Sequence, residues 1–207
     1  MRGVTVIRHP LIRHNLTRLR DRRTAPQEFR RLLSEVAALM VYEATRTLRV
    51  RRCRVRTPLE PTEGFVLERE VLLVPVLRAG LGMLEGILQL IPHARVGFLG
   101  LRREERTLRA AFYHESLPKG LAGFEVLLMD PMLATGGSAV AALDRLRDAG
   151  ARRVRLINLV AAPEGIRAVQ TRHPRVPIFT AAIDRRLDER GYILPGLGDA
   201  GDRLFGT

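Results

Sequence analysis

The stretch Val126-Leu127-Leu128-Met129-Asp130-Pro131-Met132-Leu133-Ala134-Thr135-Gly136-Gly137-Ser138 decides the fold. Four apolar residues run into an acid, and a loop of small residues follows. From Ser138 to Leu146 the apolar residues then recur at helical spacing. An unbroken apolar run of this length suits a strand buried on both faces, so the small residues sit at a strand-to-helix turn. Glycine lets the backbone approach a ligand closely, and free amides at a helix start favour an anion. Thr135 and Ser138 add hydroxyl donors. Asp130 cannot serve the same anion; an acid at a strand's end suits sugar hydroxyls or a metal. Open α/β sheets bind ligands at the carboxyl ends of their strands. This stretch matches neither the G-x-x-x-x-G-K-[ST] pattern nor G-x-G-x-x-G, so it is neither a P-loop nor a dinucleotide fingerprint. The simpler alternative is an ordinary crossover in which Gly-Gly only turns the chain.

Outward from that stretch, further strands are predicted at Val4 to Ile7, Glu70 to Leu77, Val96 to Leu101, Val154 to Val160 and Ile178 to Ile183. Helices are predicted at Leu11 to Asp21, from Pro26 onward with Thr24 as its cap, at Leu81 to Ile91 and at Glu164 to His173. Alternation of this kind implies parallel βαβ units with right-handed crossovers. Pro75 predicts that regular pairing stops within its strand, and Arg78 then shares an edge with Asp130. Phe29, Leu32, Leu33, Val36, Ala37, Met40, Val41, Ala44 and Leu48 form a broad helical stripe that suits the core, with a dimer contact as the alternative. Arg49, Arg51, Arg52, Arg54 and Arg56 alternate with Val50, Cys53 and Val55. A charged edge strand is expected there, against a nucleic-acid strip. Arg102 to Lys119 is a charged segment that suits a projecting arm or hairpin, able to carry Arg103 to a substrate. The tail from Gly191 to Thr207 is glycine-rich, yet Tyr192, Ile193, Leu194, Leu197, Leu204 and Phe205 argue against fraying. It suits an ordered wall, lined mostly by backbone, for a small flat ligand.

The chain has 207 residues, enough for one α/β domain with a sizeable core. Its formal charge of +13 invites nucleic acid, acidic lipid or phosphorylated substrates. The cations are scattered, however, and aromatics are only 5% of the chain, which weakens a stacking platform for single-stranded nucleic acid. Nucleic acid is therefore not expected as a partner. Cys53 is alone, so no disulfide framework is expected within the chain. Without a signal peptide or an apolar span of membrane length, a cytoplasmic protein with no membrane partner is expected.

The motif DPMLATGGS at Asp130 to Ser138 resembles the phosphoribosyl pyrophosphate (PRPP) motif of type I phosphoribosyltransferases. Pro131 stands where that wider family usually has a second acid, a departure similar to its uracil branch. Four more stretches carry the same resemblance: HPLIRHNLTRLRD near the start, YEATRTL at Tyr42 to Leu48, VPVLRAG at Val74 to Gly80, and the tail. The resemblance implies one domain over residues 1–207. It would hold an N-terminal helical segment over about 1–56, a core of about five parallel strands flanked by helices over about 64–183, an arm over about 102–119 and a small C-terminal hood over about 184–207. It implies transfer of uracil onto PRPP, with UMP and diphosphate as products, in pyrimidine salvage. Phosphoribosyl transfer to another base, or an RNA-binding regulator on the same fold, are the alternatives. Asp130 would hold the ribose hydroxyls, Ala134, Thr135, Gly136, Gly137 and Ser138 would wrap the 5′-phosphate, and Pro131, Met132 and Leu133 would also belong to the PRPP-binding stretch. Arg78 and Arg103 would engage the pyrophosphate end. Ile193, Gly198, Asp199 and Ala200 would contact uracil, and Asp199 would also face PRPP or its magnesium. Asp199 capping the glycine turn is the structural alternative to a catalytic part. Mg2+ is expected mainly through PRPP, with no protein ligand set. At least a dimer is implied, and a GTP effector as in some relatives, with no residue placed for it.

Overall fold

The structure is a computed structural model that describes residues 3–103 and 110–207. In chain order its elements are β1 (Val4–Val6), α1 (Pro10–Arg20), α2 (Pro26–Ala44), β2 (Val50–Arg56), β3 (Pro61–Leu67), β4 (Val71–Leu77), α3 (Leu81–Leu90), β5 (Arg95–Val96), β6 (Phe98–Arg103) and β7 (Ala110–Ser116). There follow β8 (Glu125–Met129), β9 (Met132–Leu133), α4 (Gly137–Asp148), β10 (Val154–Ala161), α5 (Pro163–Arg172), β11 (Ile178–Ile183), β12 (Arg186–Leu187), β13 (Ile193–Leu194) and α6 (Ala200–Phe205).

The main sheet runs β1-β11-β10-β8-β4-β6-β7, with β5 beside β4 and β9 beside β10. Every pairing in it is parallel except β6 with β7. Buried strands of this kind read as continuous apolar runs because helices cover both faces. Alternate residues go to opposite layers: Leu73, Leu127 and Ile157 pack with α1, α2 and α3. Leu72, Val126, Leu128 and Leu156 pack with α4 and α5. The stripe on α2 is core, with Phe29 through Ala44 of that stripe at 1% exposure or less. Truncating any of its large members to Ala should cost about 2–5 kcal/mol.

Four expectations are corrected or sharpened. Pairing stops at Pro75 on one edge only: the ladder with β8 ends at Pro75–Met129, while the opposite edge of β4 pairs with β5 at Leu72 and Leu73 and with β6 at Val76 and Leu77. Thr24 does not cap α2. The cap position is Ala25, with no side-chain bond, and Thr24 Oγ1 instead donates to Arg18 O at 2.6 Å, closing the α1–α2 turn. The arginine-rich β2 is a strand but lies off the main sheet, paired antiparallel with β3 in a separate hairpin. No layer covers that hairpin, so both strands are exposed almost throughout. Finally, the base of the segment over 102–119 is a hairpin, β7 running antiparallel on β6. Residues 104–109, and the side chain of Arg103, lie outside the described residues.

Candidate active site

Four segments meet at the carboxyl edge of the sheet. The first is the turn after β8. Asp130 N–H donates to Ile157 O at 3.1 Å, and Asn158 Nδ2 donates to Asp130 O at 2.6 Å, so the backbone at the acid is held from β10. Gly136 has φ of 85°, a left-handed conformation that glycine accepts without strain. A Cβ there would also fall 2.9 Å from Gly165 O and 2.8 Å from Ala168 Cβ. The loop is thus pressed against the start of α5. Thr135, Gly137 and Ser138 are exposed at its rim. The first helical bond of α4 runs from Val140 N–H to Gly136 O, which leaves the amides of Ser138 and Ala139 without an acceptor in the helix. Turned-out amides at a helix start suit a phosphate.

The second segment is the start of α5, against which that loop rests, and Asp130 stands beside the rim. Its Oδ1 accepts from Met132 N–H at 3.3 Å. Crowding at the edge of the sheet pushes its carboxyl up to about 7, the Met132 amide pulls it back, and the charge of Asp199 raises it further. Part of the residue is still open to solvent. The dominant cause is therefore the low-dielectric surround, not complete enclosure. The influence of Asp199 means that two carboxylates bear on one space.

The third segment is the turn after β4. A Cβ on Gly80 would lie 2.7 Å from Met129 O and from both Val76 N and Val76 O, so this turn sits directly on the ends of β4 and β8. The peptide between Leu77 and Arg78 is cis. The Arg78 guanidinium reaches across to α6, 3.3 Å from Asp202 Oδ1 and 5.8 Å from the Phe205 ring. That pair is exposed and so holds weakly, which leaves Arg78 free to exchange partners.

The fourth segment is the hood of β12, β13 and α6. Asp199 caps α6, its Oδ1 accepting from Gly201 N–H at 2.8 Å and Asp202 N–H at 3.0 Å. The Ile193 and Ala200 side chains are buried, while Gly198 and Asp199 are exposed. The hood is roped to the N-terminal helices. Arg20 makes a two-pronged bridge to Asp184 at 2.7 and 2.8 Å and donates to Gly196 O at 2.7 Å, while Gly196 N–H donates to Asp184 Oδ2 at 2.8 Å. Arg203 donates to Leu19 O, to Leu197 O at 2.9 Å and to Asp21 O at 2.6 Å, and stacks 4.5 Å over Phe29.

A family model described as uracil phosphoribosyltransferase matches residues 6–207. The chain belongs to the uracil phosphoribosyltransferase family. A uracil phosphoribosyltransferase of Thermosipho africanus is 53% identical over 205 residues, 99% of each chain. A protein of Aquifex aeolicus with a solved structure superposes at a TM-score of 0.94 and 40% identity, over 99% of this chain and 98% of that one. A purine phosphoribosyltransferase of Pyrococcus horikoshii, at TM-score 0.51 and 12% identity over 76% of this chain and 89% of that one, shares the fold alone.

In this member of the uracil phosphoribosyltransferase family, the structure brings Asp130, Thr135 to Ser138, Arg78 and Asp199 to one edge. Among the residues singled out from sequence, only Arg103 cannot be placed by its side chain. Several others escaped notice: Asn158, Gly165, Arg20, Asp184 and the bonding of Arg203. An Asn inside an otherwise apolar strand and a Gly on the first turn of α5 were the only local signals. Gly165 has an outsized part, since a Cβ there would lie 2.5 Å from Ala134 O and 2.7 Å from Leu133 O. Gly165→Ala should therefore shift the Ala134–Ser138 loop, raise KM for PRPP by about tenfold, and lower stability by about 1–3 kcal/mol. Steady-state kinetics at varied PRPP check it, and an unchanged KM would show that the loop yields freely.

Among the described residues, no three His, Cys, Asp or Glu side chains converge as a metal cage. Magnesium is commonly bound by one or two carboxylates together with substrate phosphates. Asp199 fits that mode, because capping engages only its Oδ1.

Proposed function

We propose that the protein joins uracil N1 to the anomeric carbon of PRPP, releasing diphosphate and giving UMP. The observation that carries this is the placement of a raised-pKa carboxyl, Asp130, beside turned-out helix amides and beneath a backbone-rich hood. Each part matches one portion of the substrates.

The Ser138 and Ala139 amides and the Thr135 and Ser138 hydroxyls take the 5′-phosphate. Asp130 accepts the ribose hydroxyls, which replace lost hydration and favour its ionised form. Arg78 leaves Asp202 for the diphosphate. The C1–O bond to diphosphate lengthens as the uracil nitrogen approaches, and the sugar passes through an oxocarbenium-like state, as in glycoside chemistry. Asp130 close to the ribose favours the developing positive charge. Magnesium held on the phosphates with Asp199 would neutralise charge on the leaving group. The N1 proton of uracil leaves as the new C–N bond forms, with the departing diphosphate as its acceptor. The hood excludes water, which would otherwise capture the sugar. Buried Ile193 and Ala200 leave backbone groups to face the base. Uracil's edge alternates acceptors with a donor; cytosine reverses part of that pattern and would leave groups unpaired, a strong basis for rejection.

The same reading includes magnesium dependence, an assembly of at least two copies, a response to GTP and a cytoplasmic setting. Among the described residues, no helix is long and apolar enough to cross a membrane. The test is to incubate the protein with PRPP, Mg2+ and labelled uracil, cytosine or hypoxanthine. UMP from uracil alone is expected; nucleotide formed from hypoxanthine at a comparable rate would overturn the assignment.

A further inference from the structure

We infer that Arg20 of α1 and Asp184, which follows β11, are positioning residues for base choice. Together they fix which way the peptides of the hood turn present their donors and acceptors. The inference rests on the uracil reading above and deepens it.

The groups expected at the base come from two sides, Ile193 in β13 and Gly198 to Ala200 at the start of α6. The stretch that joins them is Leu194-Pro195-Gly196-Leu197. Recognition through backbone depends on the direction of each peptide, because a planar trans peptide points its C=O and N–H to opposite sides. A peptide that turns over offers a donor where an acceptor stood. That exchange is the difference between the edges of uracil and cytosine. The turn's own residues hold its direction poorly: Gly196 and Gly198 have φ of 59° and 78°, and glycine passes between conformations at little cost.

Charged side chains from outside the turn hold it instead. Gly196 N–H donates to Asp184 Oδ2 at 2.8 Å, and Arg20 Nη1 donates to Gly196 O at 2.7 Å. The same Nη1 donates to Asp184 Oδ2 at 2.7 Å, and Nη2 donates to Asp184 Oδ1 at 2.8 Å. One ion pair thus closes a ring around both polar groups of a single glycine and fixes the peptides before and after it. Arg203 fixes the next peptide, donating to Leu197 O at 2.9 Å, which sends Gly198 N–H the opposite way. The ring also bears on the other side of the base site, since a Cβ on Gly196 would fall 2.2 Å from Ile193 O. It is shielded, with the Asp184 side chain 7% exposed and that of Arg20 25%. A shielded, two-pronged pair keeps its geometry where an exposed pair does not.

The test compares the full wild-type chain with Arg20→Met, Arg20→Lys and the double variant Arg20→Met/Asp184→Asn, each checked for folding by thermal melt. The double variant avoids leaving a buried charge unpaired. Labelled uracil and labelled cytosine are each supplied with PRPP and Mg2+, and UMP and CMP are counted. Wild type should prefer uracil by about 10⁴ in kcat/KM. Arg20→Met and the double variant should lose about 100-fold for uracil. For cytosine, which makes few of the oriented bonds, they should lose only about threefold. Uracil KM should rise by about tenfold while PRPP KM stays within about threefold, because the Ala134–Ser138 loop is fastened separately to α5. Arg20→Lys should keep most of the preference, since one nitrogen, Nη1, serves both Asp184 Oδ2 and Gly196 O. A merely structural role would lower both bases alike. Equal losses for the two bases in folded variants, or a PRPP KM that rises as far as the uracil KM, would overturn the inference. A wild type that makes no UMP would sink the uracil reading itself, and this inference with it.

Discussion

Asp130→Asn should lower turnover by about 10²–10³-fold while making the ligand-free protein more stable at pH 8. The two effects have one cause. The carboxyl sits where burial raises its pKa from 3.8 to about 7, so its charged form is unfavourable until a ligand arrives. Between those pH values the folded protein keeps a proton that the unfolded chain has released. Stability consequently falls as pH climbs from about 4 to about 7 and stays low above that. Asn carries no such charge. The variant's advantage in unfolding free energy should be small near pH 4 and grow to the order of 2–4 kcal/mol at pH 8. Denaturant titrations in EDTA at several pH values read this directly. On the kinetic side, wild-type kcat/KM should drop as pH falls below about 7, since the ionised acid is the one that accepts ribose hydroxyls. The residual activity of the variant should lack that limb. Near-normal turnover would remove Asp130 from the chemistry, and an unchanged pH–stability curve would remove its raised pKa.

Arg203→Ala should unfasten the hood. One guanidinium serves carbonyls at Leu19, Asp21 and Leu197 and covers the Phe29 ring. Burial lowers its pKa, with Asp21 acting the other way, so the group gives up hydration in return for those bonds. Removing it leaves carbonyls of a partly buried seam without their donor, at a cost on the order of 3 kcal/mol. For a chain of this size that corresponds to a melting temperature lower by about 6–12 °C. Uracil KM should rise more than PRPP KM, because α6 and the turn before it drift while the phosphate loop, fastened to α5, stays. Arg203→Lys should rescue little, as one ammonium cannot span three carbonyls from a single planar fork. A variant with unaltered uracil KM would mean that the hood is positioned from elsewhere, by the Arg20–Asp184 bridge and the bond from Arg30 to Leu204 O.

Much of the edge that carries the site was readable before folding was considered. The loop from Ala134 to Ser138 and the acid before it lie within one strand-turn-helix unit, where period and glycine placement are local properties. The ordered tail was readable as well, from its apolar residues. Asp199 was readable both as a position and as a candidate cap, but the element it caps was not: its bonds to Gly201 and Asp202 belong to a short helix that six residues of weak pattern do not announce. The hairpin of β2 and β3 was half legible. Alternating arginines marked a strand, yet nothing in Pro61 to Leu67 showed that its partner would be the next segment in the chain and not the main sheet.

The sequence by itself determined the parallel core and the position of the glycine turn from Ala134 to Ser138, because buried strands, helix stripes and glycine turns are set by neighbours a few residues away. Tertiary structure alone decided how the hood is held and where charge accumulates. Arg20 finds Asp184 across 164 positions, and Arg203 finds Asp21 across 182. An arginine's partner is chosen by what lies within reach of its long side chain after the chain has packed, and no local period records that choice.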